Sequence, residues 1–404
     1  MVVHTIPTSR RRRWNEESNG SHSRSIAGQL WRFNMNRLLE DLRVLHVVTD
    51  RDRRGAQVFG TDIASGLDTL SVWNEVVALA PGTHGDGLAI ECLGPGRRSW
   101  RTIRSLRQKS KSVDVVVAHG SATLLVASIA LFVSGVPFVY RQISDPLHWA
   151  ATLPRRLRVG LYLRRPAAIV ALSDVAAGVL VQHYRLDRNR ITVIPNAVPD
   201  TKFTTRPAGE RADIRERFGL SDDLPLAVYV GALAPEKGVD MAIRAAGAAT
   251  GLQLLVVGDG PERTGLEKLA SQFEPDRTVF AGALDQPEIA LGASDFLVLP
   301  SLGGDSMPAV LIEAGLSGLA SVTTPVGSIT DIVVDGVTGH VVPIGDQPAF
   351  DAAVQDLTSN PARRREFGLA ARKHCEEHFT IASTAPAWRD LLSEVASRRN
   401  RRDL

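Results

Sequence analysis

Short runs of Val, Ile and Leu without polar alternation recur from residue 43 to residue 342. Most are followed by a loop and then a segment with apolar residues three and four apart. Such runs predict strands buried on both faces, hence parallel sheets, and the intervening period predicts helices. Strands are expected over 43–49, 72–79, 113–118, 138–141, 168–172 and 191–194, with a first helix over 58–70. Between Pro195 and Arg211 the pattern lapses into a stretch with three prolines and no period, which reads as a linker. The alternation then resumes with strands over 227–230, 253–257, 278–281, 296–299, 320–323 and 339–342, and a last helix over 384–397. The fold class is therefore α/β: two Rossmann-like, doubly wound domains facing a central cleft. Residues 43–205 form the first domain and 206–380 the second. Residues 1–42 are expected to form a disordered basic extension, and 381–404 a terminal helix and basic tail for which a return to the first domain is one course.

A length of 404 residues agrees with more than one domain. The formal charge of +3 comes entirely from residues 1–42, with seven Arg and four acids, which leaves 40 basic and 40 acidic residues in the rest. A body without net charge gives no support to a nucleic-acid partner. Arg10 to Arg13 are followed by WNEESNGSHSRS rather than an apolar core, so no signal peptide is expected, and Met35 offers a second translation start. The most apolar window, Leu124 to Tyr140, is broken by Ser134, Gly135 and Pro137 and is shorter than the roughly 20 residues that span a bilayer. It is expected to be a buried helix followed by a strand. Cys92 and Cys375 have neither metal nor redox spacing, and a reduced cytoplasmic location is expected.

Three motifs carry candidate chemistry. SLGGDSMPAVLIEAGL places Asp305 in a Gly-rich loop and Glu313 eight positions later, in a helix entered through Pro308. Ionised carboxylates only accept hydrogen bonds, so such a pair suits a ligand with vicinal hydroxyls. GALAPEKG puts Gly231 at a strand end and Lys237 before a helix, where an anion is favoured; a solvated Lys is the alternative. VGDGP repeats the design with Gly258, Gly260 and a Pro at the helix start.

These motifs, followed by TPVGS and DGVTG, occur in one order over about 120 residues, and residues 225–345 resemble the C-terminal domain of glycosyltransferase family 4, the retaining GT-B enzymes. RVLHVVTDRDRRGAQ, DVVVAHG and ITVIPNAV resemble the first half of that family more loosely. The resemblance implies a retaining glycosyltransferase that moves a sugar from a UDP- or GDP-linked donor to a carbohydrate or lipid-linked acceptor, with no cofactor and no metal. It implies that Lys237 meets the donor pyrophosphate, Glu313 the ribose hydroxyls and Asp305 the transferred sugar. It places His119 near sugar and acceptor, Gly55 against the phosphates, and the backbone of Met307, Pro308 and Ala309 along the pocket. Three departures bear on efficiency and donor choice. Ala232 stands where the family has an Arg, Asp305 where Glu is common, and Arg54-Gly55 where two glycines are usual.

His119, at the carboxyl end of a predicted strand, is expected to point into the cleft, against the alternative of a satisfied structural histidine. Arg97 to Lys111 holds seven basic residues and no acid, with Trp100, Ile103 and Leu106 at helical spacing. It reads either as a peripheral contact with an anionic inner membrane face or as a solvated helix packed on the first domain. Two other functions fit the same cleft: a nucleotide-sugar epimerase and a non-catalytic nucleotide-sugar binder.

Overall fold

The computed structural model describes residues 42–53, 55–83, 87–143, 152–273 and 277–400. The N-terminal extension, Met35, Arg54 and the last four residues lie outside them. In the first half the elements run β1 (Arg43–Val48), α1 (Gly55–Asp68), β2 (Trp73–Ala78), β3 (Glu91–Cys92), α2 (Trp100–Ser110), β4 (Val115–His119), α3 (Ser121–Ala130), β5 (Phe138–Arg141), α4 (Leu153–Leu163), β6 (Ala168–Ala171), α5 (Asp174–Tyr184) and β7 (Ile191–Val193). The second half follows with α6 (Ala208–Arg217), β8 (Leu226–Val230), α7 (Val239–Ala248), β9 (Gln253–Val257), α8 (Arg263–Ala270), β10 (Thr278–Gly282), α9 (Pro287–Ala293) and β11 (Phe296–Leu299). It ends with α10 (Ala309–Leu316), β12 (Ala320–Thr323), α11 (Ile329–Ile332), β13 (Gly339–Val341), α12 (Gln347–Ser359), α13 (Pro361–His378) and α14 (Ile381–Asn400).

The apolar runs become strands within one or two residues of their predicted ends; the central strands β4, β5, β6, β9, β11 and β12 are buried along their whole length, while β2 and β10 nearer the sheet edges are partly exposed. β3 was not predicted; two residues carry no period. The first sheet has the order β3-β2-β1-β4-β5-β6-β7 and the second β10-β9-β8-β11-β12-β13, every pairing parallel. In both, the order reverses beside the first strand, between β1 and β4 and between β8 and β11. Crevices open beyond the carboxyl ends of strands at such points.

The last helix belongs to the core of the first half. Val198 exchanges backbone hydrogen bonds with Phe379 and Ile381, each at 3.0 Å, and α14 then lays Ile381, Trp388, Leu392 and Val395 against Val44, Phe59 and Ile63. Trp388 is fully buried, its ring 6.3 Å from Phe59.

The window 124–140 forms α3 and β5, and among the described residues no helix is long and apolar enough to cross a membrane. α2 is capped by Ser99, which accepts from the Thr102 N–H at 3.1 Å. Its Ile103 and Leu106 are buried in the first-half core, and Lys109 pairs with Glu75 and Glu91 at 2.6 and 2.5 Å. Only Trp100, of its three apolar positions, remains exposed.

Candidate active site

The second half supplies the wall of the cleft through loops at the carboxyl ends of its strands. After β8 the chain makes a single 3-10 turn over Pro235–Lys237 and then Gly238, at φ 61°. A Cβ on Gly238 would lie 2.3 Å from the carbonyl oxygen of Pro300, so only glycine brings this turn against the end of β11. After β9, Gly258 at φ 136° approaches Gly231 so closely that a Cβ would lie 1.8 Å from its carbonyl oxygen. The two Gly-rich loops are thus one layer, and Gly231, Ala232, Gly258 and Gly260 line the cleft.

Docking of the Pro235–Lys237 turn carries Lys237 to the loop of the first acid. Its ammonium forms an ion pair with Asp305, whose other carboxylate oxygen accepts from the Ser301 hydroxyl at 2.5 Å. The loop rests on the TPVGS segment, where the Ser328 N–H donates to the Ser306 carbonyl at 2.6 Å. Lys237 and Asp305, expected at phosphate and sugar, are brought side by side, and Lys237 itself borders neither of the two cavities described below.

Pro308, in an extended conformation, admits the chain to α10. Leu311, Ile312, Ala314 and Leu316 point into the core, which turns Ala309 and Glu313 to the cleft. Burial drives the Glu313 carboxyl up to about 7, and the charges of Glu288 and Asp62 add to this, while Lys202 opposes it. Lys202 lies 3.6 Å from Asp62, so an acid from α1, an acid from α9 and a base from the linker surround one carboxyl. Sequence reasoning missed all three, since nothing local marks them.

The first half closes the other side with Asp52, Arg53, Gly55, Val58, Phe59 and Asp62. The open cleft between the two halves measures about 1490 Å³. Beside it lies a pocket of about 220 Å³, bordered by Gly55, Ala56, Arg141, Asn196 and the loop from Gly304 to Ala309. Gly55, Met307, Pro308 and Ala309 are therefore brought together as expected. Asn196 ties the halves here, donating from its side chain to the Met307 carbonyl at 3.1 Å, and the Ser328 hydroxyl donates to that of Ser173 at 2.6 Å.

The expected placement of His119 is corrected. It ends β4 as predicted, but its ring is 1% exposed and lines neither cavity. Nε2 lies 3.1 Å from Nδ1 of His46, the two rings stack at 5.4 Å, and Phe59 and Trp388 cover the rest. α1 and α14 close over this strand end, so the ring that seemed free to enter the cleft is under two helices. Burial, with the nearby charges of His46 and Arg141, holds its pKa well below the usual range, so the ring is neutral at pH 7.

Residues 210–374 match the family model described as Glycosyl transferases group 1, and residues 55–202 match that described as Glycosyltransferase Family 4. Among curated proteins, an alpha-D-kanosaminyltransferase of Streptomyces kanamyceticus is 30% identical over 265 residues, 64% of this chain and 66% of the relative. A D-inositol 3-phosphate glycosyltransferase of Streptomyces avermitilis is 30% identical over 251 residues, 58% of this chain and 53% of the relative. These matches thus span about half to two thirds of the relatives' length. Among solved structures, Anabaena HepE in complex with UDP and glucose superposes with a TM-score of 0.77 at 18% identity, covering 87% of this chain and all of the other, which shows the shared fold. With one family model on each half and the motifs in their cleft-lining positions, the chain belongs to glycosyltransferase family 4 and has the GT-B fold.

Proposed function

We propose that the chain transfers a sugar from a UDP- or GDP-linked donor to a hydroxyl of a carbohydrate or lipid-linked acceptor, with retention of configuration. The observation that carries this reading is Glu313 on the floor of a cleft shared by both halves, with the Gly-rich loops beside it and the Lys237–Asp305 pair near by. Glu313 accepts from the ribose diol. Lys237 shares its ammonium between Asp305 and the diphosphate, and backbone N–H groups of the Gly-rich loops add donors where charge develops on the departing phosphate. In the transfer the anomeric carbon's bond to diphosphate oxygen breaks and its bond to the acceptor oxygen forms. The acceptor proton passes to the departing phosphate, a base on the face that retention requires. That the two relatives are glycosyltransferases and that the structural neighbour binds UDP and glucose support the reading.

A thermal-shift screen of nucleotide sugars tests it. A ligand at 100 times its dissociation constant is expected to stabilise by about 2.7 kcal/mol, and the donor so found should release nucleoside diphosphate only with acceptor. Turnover without acceptor would indicate an epimerase. Binding with no acceptor-dependent release across an acceptor panel would indicate a non-catalytic binder.

Peripheral attachment is proposed through α4 rather than through Arg97–Lys111, whose Ile103 and Leu106 face the interior. Leu153, Leu157 and Leu161 recur every four residues at 69, 69 and 62% exposure, and Arg155, Arg156 and Arg158 lie among them, with no acid from 152 to 173. Apolar side chains set among arginines match an anionic bilayer surface. Flotation with anionic vesicles is expected to fall in an Arg155→Glu/Arg158→Glu variant and to persist in Arg101→Glu/Arg104→Glu; the reverse pattern, or no flotation of the unaltered protein, would sink the idea.

A further inference from the structure

Met307, in the loop that leads from Asp305 to α10, is held by a residue of the linker. The Asn196 backbone N–H donates to the Met307 sulfur at 3.1 Å, and its side-chain Nδ2 donates to the Met307 carbonyl at 3.1 Å. The other atom of that amide, Oδ1, accepts from Nη2 of Arg141 at 2.8 Å. Arg141 ends β5, in register with His119 on β4, and is 1% exposed, with the Phe59 ring 3.5 Å from its guanidinium. A line of three residues thus runs from the first sheet, through the linker, to a loop of the second half.

A side-chain amide fits its space either way round, with its accepting oxygen and its donating nitrogen exchanged. Arginine removes that freedom: a guanidinium only donates, so Oδ1 must turn to Arg141 and Nδ2 to the Met307 carbonyl. The arrangement is unfavourable for stability alone. Among the described residues no acid forms an ion pair with Arg141, and its Nε and Nη1 have no hydrogen-bond partner. A buried cation so held costs the fold more than an apolar side chain of similar size would. Arg141, Asn196 and Met307 all border the 220 Å³ pocket, and groups kept against stability gather at functional sites.

We propose that Arg141 is a positioning residue for the donor: by fixing the amide of Asn196 it sets the backbone of Met307, and with it the loop through Ala309 that borders the pocket. The inference rests on the nucleotide-sugar reading of the cleft. From its own half the loop is held by the Ser328 N–H on the Ser306 carbonyl and by the contacts of Lys237 and Ser301 with Asp305. Asn196 adds a hold from the other side, so the loop takes its final place when the two halves are together. Groups fixed beforehand bind without being ordered at the time, and a misplacement of about 1 Å is enough to weaken what they do.

Calorimetry on the full chain separates positioning from packing. The probes are UMP and UDP-glucose, or GMP and GDP-mannose where the guanine series binds. Arg141→Met, which keeps bulk and donates nothing, is expected to leave UMP or GMP affinity unchanged and to weaken the nucleotide sugar by about tenfold, the worth of one hydrogen bond. Arg141→Lys, also a donor only, should recover part of that loss. Asn196→Ala should weaken the nucleotide sugar as Arg141→Met does, and Arg141→Met/Asn196→Ala no further, because one residue acts through the other. Losses that multiply in the double variant would overturn the proposal, since Arg141 would then act by itself. So would an equal loss of monophosphate and nucleotide sugar, which marks general damage to the cleft, or full nucleotide-sugar affinity in Arg141→Met. If Arg141→Met does not fold, unchanged nucleotide-sugar affinity in Asn196→Ala still overturns it. Failure of the unaltered protein to bind any of the four probes would instead remove the transfer reading, and this one with it.

Discussion

Glu313→Gln is expected to lower donor affinity by about a hundredfold while making the protein more stable above neutral pH. The first effect follows from replacing two charge-assisted acceptors for a ribose diol by one neutral amide oxygen, a loss of about 2.7 kcal/mol. The second follows from linkage. The carboxyl's ordinary pKa of 4.5 rises to about 7 in the folded protein, chiefly because the site is buried. The folded state therefore holds the proton more tightly than the unfolded chain does. That advantage is complete below about 4.5, declines as pH rises, and is gone above about 7, where folding carries a buried carboxylate. A neutral Gln avoids the penalty, so the variant should gain about 1–2 kcal/mol at pH 8, discounted for the carboxyl's partial exposure to the cleft, and nothing at pH 4. The unaltered protein's KM for donor should rise as pH falls through 7, and the variant's should not. Full activity in Glu313→Gln or Glu313→Ala, or parallel KM profiles, would remove Glu313 from the ribose.

Lys237→Ala is expected to reduce kcat by about 10²–10³, the range for loss of one group that stabilises developing charge, with the fold intact by circular dichroism. It should also cost stability, since Asp305 keeps only the Ser301 hydroxyl as a partner. The side chains are 21% and 10% exposed, so the loss should be about 1–3 kcal/mol, below that for a fully buried pair. Lys237→Ala/Asp305→Ala should recover most of that stability and none of the activity. This dissociation distinguishes a charge working on substrate from one that only neutralises a neighbour. If the double variant recovers activity along with stability, Lys237 is merely a counter-ion to Asp305.

The same pair explains how a departure from the family pattern fits here. Asp305 is one methylene shorter than the common Glu, and it sits where Lys237 and Ser301 both reach it. Ala232 lines the cleft without supplying charge. The placement of Lys237 beside Asp305 depends on a glycine that lets a 3-10 turn press on Pro300.

Much of this was legible in the chain. Strand positions, the two doubly wound halves, the glycines at the strand ends and Glu313 facing the cleft from the start of a helix all depend on interactions within about ten residues. Apolar period, turn chemistry and helix entry act at that range. What folding alone decided is which distant elements meet. His119 reads the same in sequence whether it faces solvent or lies under α1 and α14, and the packing of Trp388 from the far end of the chain put it under them. Glu313 owes its raised pKa to neighbours from residues 62, 202 and 288. Among the described residues no acid forms an ion pair with Arg141, which donates to the Asn196 side-chain oxygen instead. Desolvation and charge pairing are set by the full three-dimensional neighbourhood, and no local pattern encodes that, so the chain specified the cleft and the tertiary structure settled which of its charges are free to act.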